Sequence, residues 1–187
     1  MPAILLVPPS AEPLSLAEAK AFLRVEHDAD DAVIAALVAA ARGHVEALTR
    51  RALLLQSWRV LLDAWPRDGR LSLRIGPLRA VLAARTFDAA GMPHAIDGQS
   101  FVVNAAANVI ASPCWALPAP GRSIAGIELD IACGFGATPA DVPEPLRQAM
   151  RMLLAHWYDN RGVVSSNAAP LPMGVAALLA PYRERSL

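Results

Sequence analysis

The sequence predicts an α+β fold that is mainly α: a helical bundle of N- and C-terminal helices with an inserted small antiparallel β subdomain. Three observations predict it. Apolar residues recur at helical spacing from Val33 to Leu48, and again from Leu146 to Trp157. Between them, "SWRVLLDAW" and "RLSLRI" alternate apolar and polar residues, the period of strands with one buried face. A length of 187 residues fits one domain, or one domain with a small subdomain, and can bury a real core. The expected division is an N-terminal helical part at 1–55, a β-rich insert at 56–133, a C-terminal helix packing on the N-terminal helices at 134–162, and a docking tail at 163–187.

Residues 1–13 read as an extended, Pro-rich lead-in. Ser15-Leu-Ala-Glu18 follows the pattern of a capping box, in which each side chain accepts the other residue's amide, and predicts a short helix to about Arg24. Asp28 is the expected N-cap of the next helix, roughly 29–50, with Asp30 and Asp31 in its first turn. Val33, Ile34, Leu37, Val38, Ala41, Val45 and Leu48 form its apolar stripe. Arg50 and Arg51 close its last turn, and Gly43 suggests close packing.

Strands are expected from Trp58 to Leu62 and from Leu71 to Ile75, joined by turn chemistry at Pro66-Arg-Asp-Gly69. Further strands are expected at Val81–Phe87, near Phe101–Val103 and at Ile127–Ala132, with Asn104 to Arg122 a long loop or irregular edge. Beyond Gly136, Asp141 is a candidate cap, and Pro143 and Pro145 fit only the first turn of a helix. Leu146, Met150, Leu153 and Trp157 make its stripe and Gly162 stops it. A short helix is expected at Val175–Leu179.

Composition narrows function. Seventeen basic residues balance seventeen acidic ones, so no global charge drives the chain onto nucleic acid or anionic membrane. Only Lys20 among the basic residues is lysine. The N-terminus lacks a basic region before its apolar run, and the long uncharged stretches are broken by Pro, Ser and Asn; the chain reads as soluble. Cys114 and Cys133 make neither a disulfide framework nor a CxxC site, and read as reduced core thiols.

No enzyme signature emerges. "GFGATP" has Pro139 where a dinucleotide fingerprint needs its third glycine, and no P-loop lysine is near. The four histidines are far apart, and no HExxH, CxxC or GxSxG occurs. Asp28, Asp30 and Asp31 lack the glycine and distal Glu of a calcium loop. His156, Trp157, Tyr158, Asp159, Asn160 and Arg161 look like a site, but one helical turn points them in different directions. They read as packing or interface residues, with His156 and Asn160, or Asp159 and a neighbouring chain, as candidates for an interface hydrogen bond. No catalytic residue, metal or cofactor is expected. Residues 163–182 are neutral and rich in apolar side chains, a composition that usually marks an interaction site when exposed.

Three blocks then fall in a distinctive order. The first holds Leu16–Lys20, Leu23–Asp31, Val33–Leu48, the Thr49–Leu53 turn and Gln56–Trp58. The second is "GFGATPADVPEPLRQAMRMLLAHWYDNRGVV", and the third is "PMGVAALLAPYRERSL". Together they resemble the phage head–tail connector family (adaptor, head-completion or "possible DNA packaging" proteins), whose members also occur in prophages and gene transfer agents. Ala64–Arg122 departs from the family pattern and reads as a variant subdomain.

The resemblance implies a structural, non-enzymatic role. Such proteins form a ring, expected to be a dodecamer, beneath the portal at the neck of a virion or phage-like particle. They are made in the bacterial cytoplasm. Expected partners are the portal, a tail-side stopper protein, further copies of the chain, and DNA passing without sequence recognition. Leu171, Val175, Leu178, Leu179, Tyr182 and Arg183 are the expected portal-binding tail residues. Leu146, Met150, Leu153, His156, Trp157 and Tyr158 are expected in a subunit interface or core, and Arg147 and Arg151 facing the lumen or DNA. The alternative is a DNA-packaging accessory factor that binds DNA directly.

Overall fold

The computed structural model describes residues 2–113, 117–160 and 172–183. The chain divides into two compact units: Met1–Pro9 with Leu55–Gly134, and Ser10–Leu54 with Phe135–Leu187.

The strands described in the first unit are all antiparallel, with one 3-10 turn at Gly98–Ser100. Its larger sheet contains β1 (Ala3–Val7), β2 (Gln56–Leu62), β4 (Leu78–Phe87), β5 (Pro93–Ile96) and β8 (Ile127–Cys133), in the order β1-β2-β8-β4-β5. Its smaller sheet contains β3 (Arg70–Ser72), β6 (Val102–Asn104) and β7 (Val109–Ala111), in the order β3-β7-β6. Central β8 dictates the larger sheet. Ile127, Leu129, Ile131 and Cys133 alternate onto one fully buried face, while Glu128 and Asp130 take the other. Register places Val60 and Ala84 on either side of Leu129, and all three are core residues.

The second unit is helical: α1 (Leu16–Leu23), α2 (Asp31–Thr49), α3 (Glu144–Asp159) and α4 (Met173–Leu179). Ile34, Val38, Ala41 and Val45 of α2 share a core with Leu146, Ala149, Met150, Leu153 and Leu154 of α3. By length and composition α2 could cross a bilayer. Its buried stripe in this core, and the pairing of Arg42 with Glu12 and Glu46 at 2.8 and 3.0 Å, make it a core helix instead.

The capping box forms as expected. Ser15 Oγ accepts the Glu18 amide at 3.2 Å and Glu18 Oε2 accepts the Ser15 amide at 2.9 Å. Arg24 then ends α1 in the left-handed conformation.

The mainly α bundle is overturned. Eight strands stand beside four α-helices among the described residues, and the sheets carry their own core. The lead-in is not merely extended: β1 pairs with β2, aligning Ala3, Ile4 and Leu5 with Val60, Arg59 and Trp58. The Asn104–Arg122 loop contains β7, and β5 had no period-2 pattern to reveal it. Asp30, not Asp28, occupies the N-cap of α2, and Arg50 lies beyond the last turn as a left-handed C-cap. Asp141 does not cap α3; Thr138 donates its amide and hydroxyl to the Asp141 carboxylate, both at 2.8 Å, in the preceding 3-10 turn. Gly43 has open space beside it rather than a close neighbour.

Candidate assembly surfaces

The α3 cluster disperses as helical geometry requires. Leu146, Met150 and Leu153 are fully buried in the helical core, and Trp157 packs against it. The indole meets His44 of α2 edge to face, with ring centroids 5.6 Å apart. Tyr158 turns to α2 and donates its hydroxyl to the Asp30 carboxylate. His156 stays on its own helix, where the Asn160 side-chain amide donates to its carbonyl at 2.7 Å. Asp159 is exposed, and Arg161, like the expected stop at Gly162, lies outside the described residues. These groups share no substrate-sized centre.

Arg147 and Arg151 belong to one balanced ion cluster. Arg147 reaches Glu18 of α1 at 2.6 Å, Glu144 at 3.1 Å and the Pro13 carbonyl at 3.2 Å. Arg151 reaches Glu144 and Gln148. The Ser15 amide, then Arg147 and Arg151, hold the Glu18 carboxyl below its usual range; Arg151 chiefly does the same for Glu144. Two cations and two anions thus tie α1 to α3.

The described part of the tail, residues 172–183, folds onto its own unit. Val175 and Leu179 are fully buried in the helical core, and Leu178 and Tyr182 pack against it. Arg51 donates its Nε–H to the Tyr182 carbonyl at 2.8 Å. Arg183 is exposed, and Leu171 and Cys114 lie outside the described residues.

The sheet unit carries a second ion cluster, which the sequence reading did not assemble. Arg59 of β2 meets Asp130 of β8 in a forked contact at 2.7 and 2.9 Å. Arg85 of β4 meets the same carboxylate, and both arginines reach Glu128 at 3.3–3.4 Å. The signal was present, since alternation puts Arg59, Glu128 and Asp130 on polar faces; only the β2-β8-β4 order brings them together. Asn108 was missed as well. Its side chain accepts the Leu78 amide at 3.0 Å and fills the space beside Gly76 that a Cβ would need.

Among the described residues no group of three or more His, Cys, Asp or Glu is placed to hold a metal. The "GFG" turn serves packing, because the Asp141 side chain occupies the space where a Gly136 Cβ would stand. Cys133 is buried, which pushes its thiol up to about 12, far from a reactive thiolate. An apolar groove of about 380 Å³ on the helical unit is lined by Leu14, Leu16, Ala35, Val38 and Pro139. Its acid, Glu12, is already paired with Arg42.

Residues 13–82 match the family described as phage gp6-like head-tail connector protein, a stretch that contains the whole first motif block. The chain is also similar, at 28% identity and a TM-score of 0.85, to a chain in the neck of an empty gene transfer agent particle computed with C6 symmetry; the likeness covers 100% of this chain and 97% of that one. A chain from the virion of a native gene transfer agent particle gives 28% identity and a TM-score of 0.82, over 100% and 97%. A chain in the neck of a native particle computed with C12 symmetry gives 28% and 0.72, over 98% and 97%. No curated protein matches the sequence. The resemblance read from the motif order is borne out.

Proposed function

We propose that this protein is a structural head–tail adaptor: a ring beneath the portal of a phage or phage-like particle, extending the DNA channel and joining head to tail. One observation carries the reading. The likeness to a gene transfer agent neck chain runs through all of this chain and 97% of the other, so both units are shared rather than one common module. Local chemistry agrees. The polar clusters are charge-balanced ties between elements, and the residues that looked like a site diverge around α3.

A closed ring requires two different patches that meet on adjacent copies. The exposed faces of α2 and α3 are available for this, and the stripe of Leu146, Met150 and Leu153 is not, being internal core. In the tail, Val175 and Leu179 anchor the segment to its own unit, which leaves exposed Arg183 as the portal-facing group among the described residues named from the sequence. Arg147 and Arg151, neutralised by Glu18 and Glu144, would give any lumen surface they form little net charge. The sheet unit is assigned to the tail-side stopper protein, and the site of action to the particle neck after synthesis in the bacterial cytoplasm.

The test is to mix the purified protein with its cognate portal ring and image the product by electron microscopy. An added ring of density beneath the portal is expected. Bare portals, with both proteins folded, would remove the adaptor assignment.

A further inference from the structure

We propose that the outer face of the β3-β7-β6 sheet, together with the bend that follows β3, is a contact surface for the phosphate backbone of duplex DNA, with Arg70 on the sheet and Arg74 in the bend as its charged contacts. The inference rests on the channel reading above, and it names which part of the chain meets the passing DNA.

Arg70 and Ser72 of β3, and Arg74 in the bend just beyond it, are exposed, whereas Leu71 and Leu73 between them are buried. Register aligns Arg70 with Ala111 and Val102, and Ser72 with Val109 and Asn104. These rows share one face and contain no carboxylate. The nearest acids in sequence are held by backbone amides, and Asp68 stands beside Arg70 itself. Asp68 accepts the Arg70 amide at 3.1 Å, and Asp63 accepts the Ala125 amide at 2.8 Å.

Among the described residues, neither the Arg70 nor the Arg74 side chain makes a hydrogen bond or ion pair. That sets them apart from Arg42, Arg59, Arg85, Arg147 and Arg151, each fixed by carboxylates. Arg70 and Arg74, less the one carboxylate of Asp68 beside them, leave a local excess of positive charge on a chain of zero net charge.

The chemistry fits a phosphate backbone. Arginine presents a planar fork of donors, and serine adds a hydroxyl donor. The face holds no aromatic side chain to anchor a protein partner, and no groove-reading helix that would imply sequence recognition. A weak contact of this kind lets DNA slide, because released counterions set its strength and base identity does not.

The experiment is an NMR titration of the full-length protein with a short mixed-sequence duplex, following backbone amides and arginine Nε–H signals. Shifts centred on residues 70–74 are expected. With two phosphates neutralised, apparent affinity should fall about tenfold between roughly 50 and 200 mM salt. The double variant Arg70→Gln/Arg74→Gln should lose the shifts and keep the rest of its spectrum. Absent shifts, shifts centred on other arginines such as Arg24, Arg50 or Arg183, or unchanged binding by the double variant would overturn the assignment. A double variant that binds DNA like the parent but fails to join tails would point to an acidic protein partner, and would overturn it too. The portal experiment is separate. A ring on the portal without shifts at 70–74 removes this surface alone; shifts at 70–74 with bare portals keep it and remove the adaptor reading.

Discussion

Asp130 lies between Arg59 and Arg85, and its side chain is only 10% exposed. The Arg59 hydrogen bond, opposed by burial, holds its carboxyl below the ordinary value of 3.8. A carboxyl depressed in the folded state contributes fully above the unfolded value and loses that contribution as pH falls through the folded one. Stability should therefore decline below about pH 4, and Asp130→Asn should flatten that part of the profile. Asp130→Ala leaves two guanidinium groups facing each other beside Glu128 alone. We expect a loss of about 2 kcal/mol, less than the roughly 3–5 kcal/mol of a fully buried pair because both arginines still touch water. Urea unfolding across a pH series reads both effects, and an unchanged midpoint at neutral pH would make the cluster ornamental. Tyr158 supports a parallel expectation in the helical unit, where its hydroxyl reaches Asp30 at the start of α2. Tyr158→Phe should cost about 1.5 kcal/mol, the scale of a hydrogen bond to a charged group, and chemical denaturation of that single variant checks it.

At the scale of elements, the tail makes the sharpest contrast between composition and placement. An uncharged, apolar segment reads as an exposed docking strip, because sequence alone does not reveal where α4 lies against α3. Leu179 is in fact fully buried in the core. Leu179→Ala should thus destabilise the isolated protein by about 3 kcal/mol, as cavity-forming core substitutions do. Arg183→Glu, at an exposed position, should leave stability unchanged and weaken portal binding. Denaturation of both variants beside portal pull-down separates the roles, and a stable Leu179→Ala protein that loses only portal binding would reverse them. The same contrast explains what the sequence revealed. Ser15 and Glu18 report a local pattern complete within four residues, so α1 was legible, as were the stripes of α2 and α3. Asp28, Asp30 and Asp31 were correctly placed near a helix start, but their roles depend on distant partners. Lys20 takes Asp28 and Asp31 at 2.6 and 2.7 Å, and Tyr158 takes Asp30. The strand β1 was illegible because five consecutive apolar residues between prolines show no period. It is an edge strand with Ile4 and Val7 at least half exposed, so neither face imposed alternation. The Arg59–Asp130 tie needed the strand order, which no local signal carries.

At the scale of the whole molecule, the chain passes out of the helical unit after Leu54 and returns at Phe135. Those two points lie side by side within that unit, since the Phe135 amide donates to the Leu53 carbonyl at 3.3 Å. Loop closure across so short a gap adds little entropy. Among the described residues, every member of the helical core lies in Ser10–Leu54 or beyond Gly134. A chain starting at Ser10, with residues 55–134 replaced by a short Gly/Ser linker, should accordingly fold as a helical protein with a cooperative thermal transition. A featureless melt would mean that the helical unit depends on the sheets. In particles, the same replacement should spare portal binding and abolish tail joining, because the sheet unit is assigned to the stopper protein. Retained tail joining would relocate the stopper contact to the helices. Loss of portal binding by a variant that still melts cooperatively would move the portal contact to the sheets, and with it the order in which the two units face head and tail.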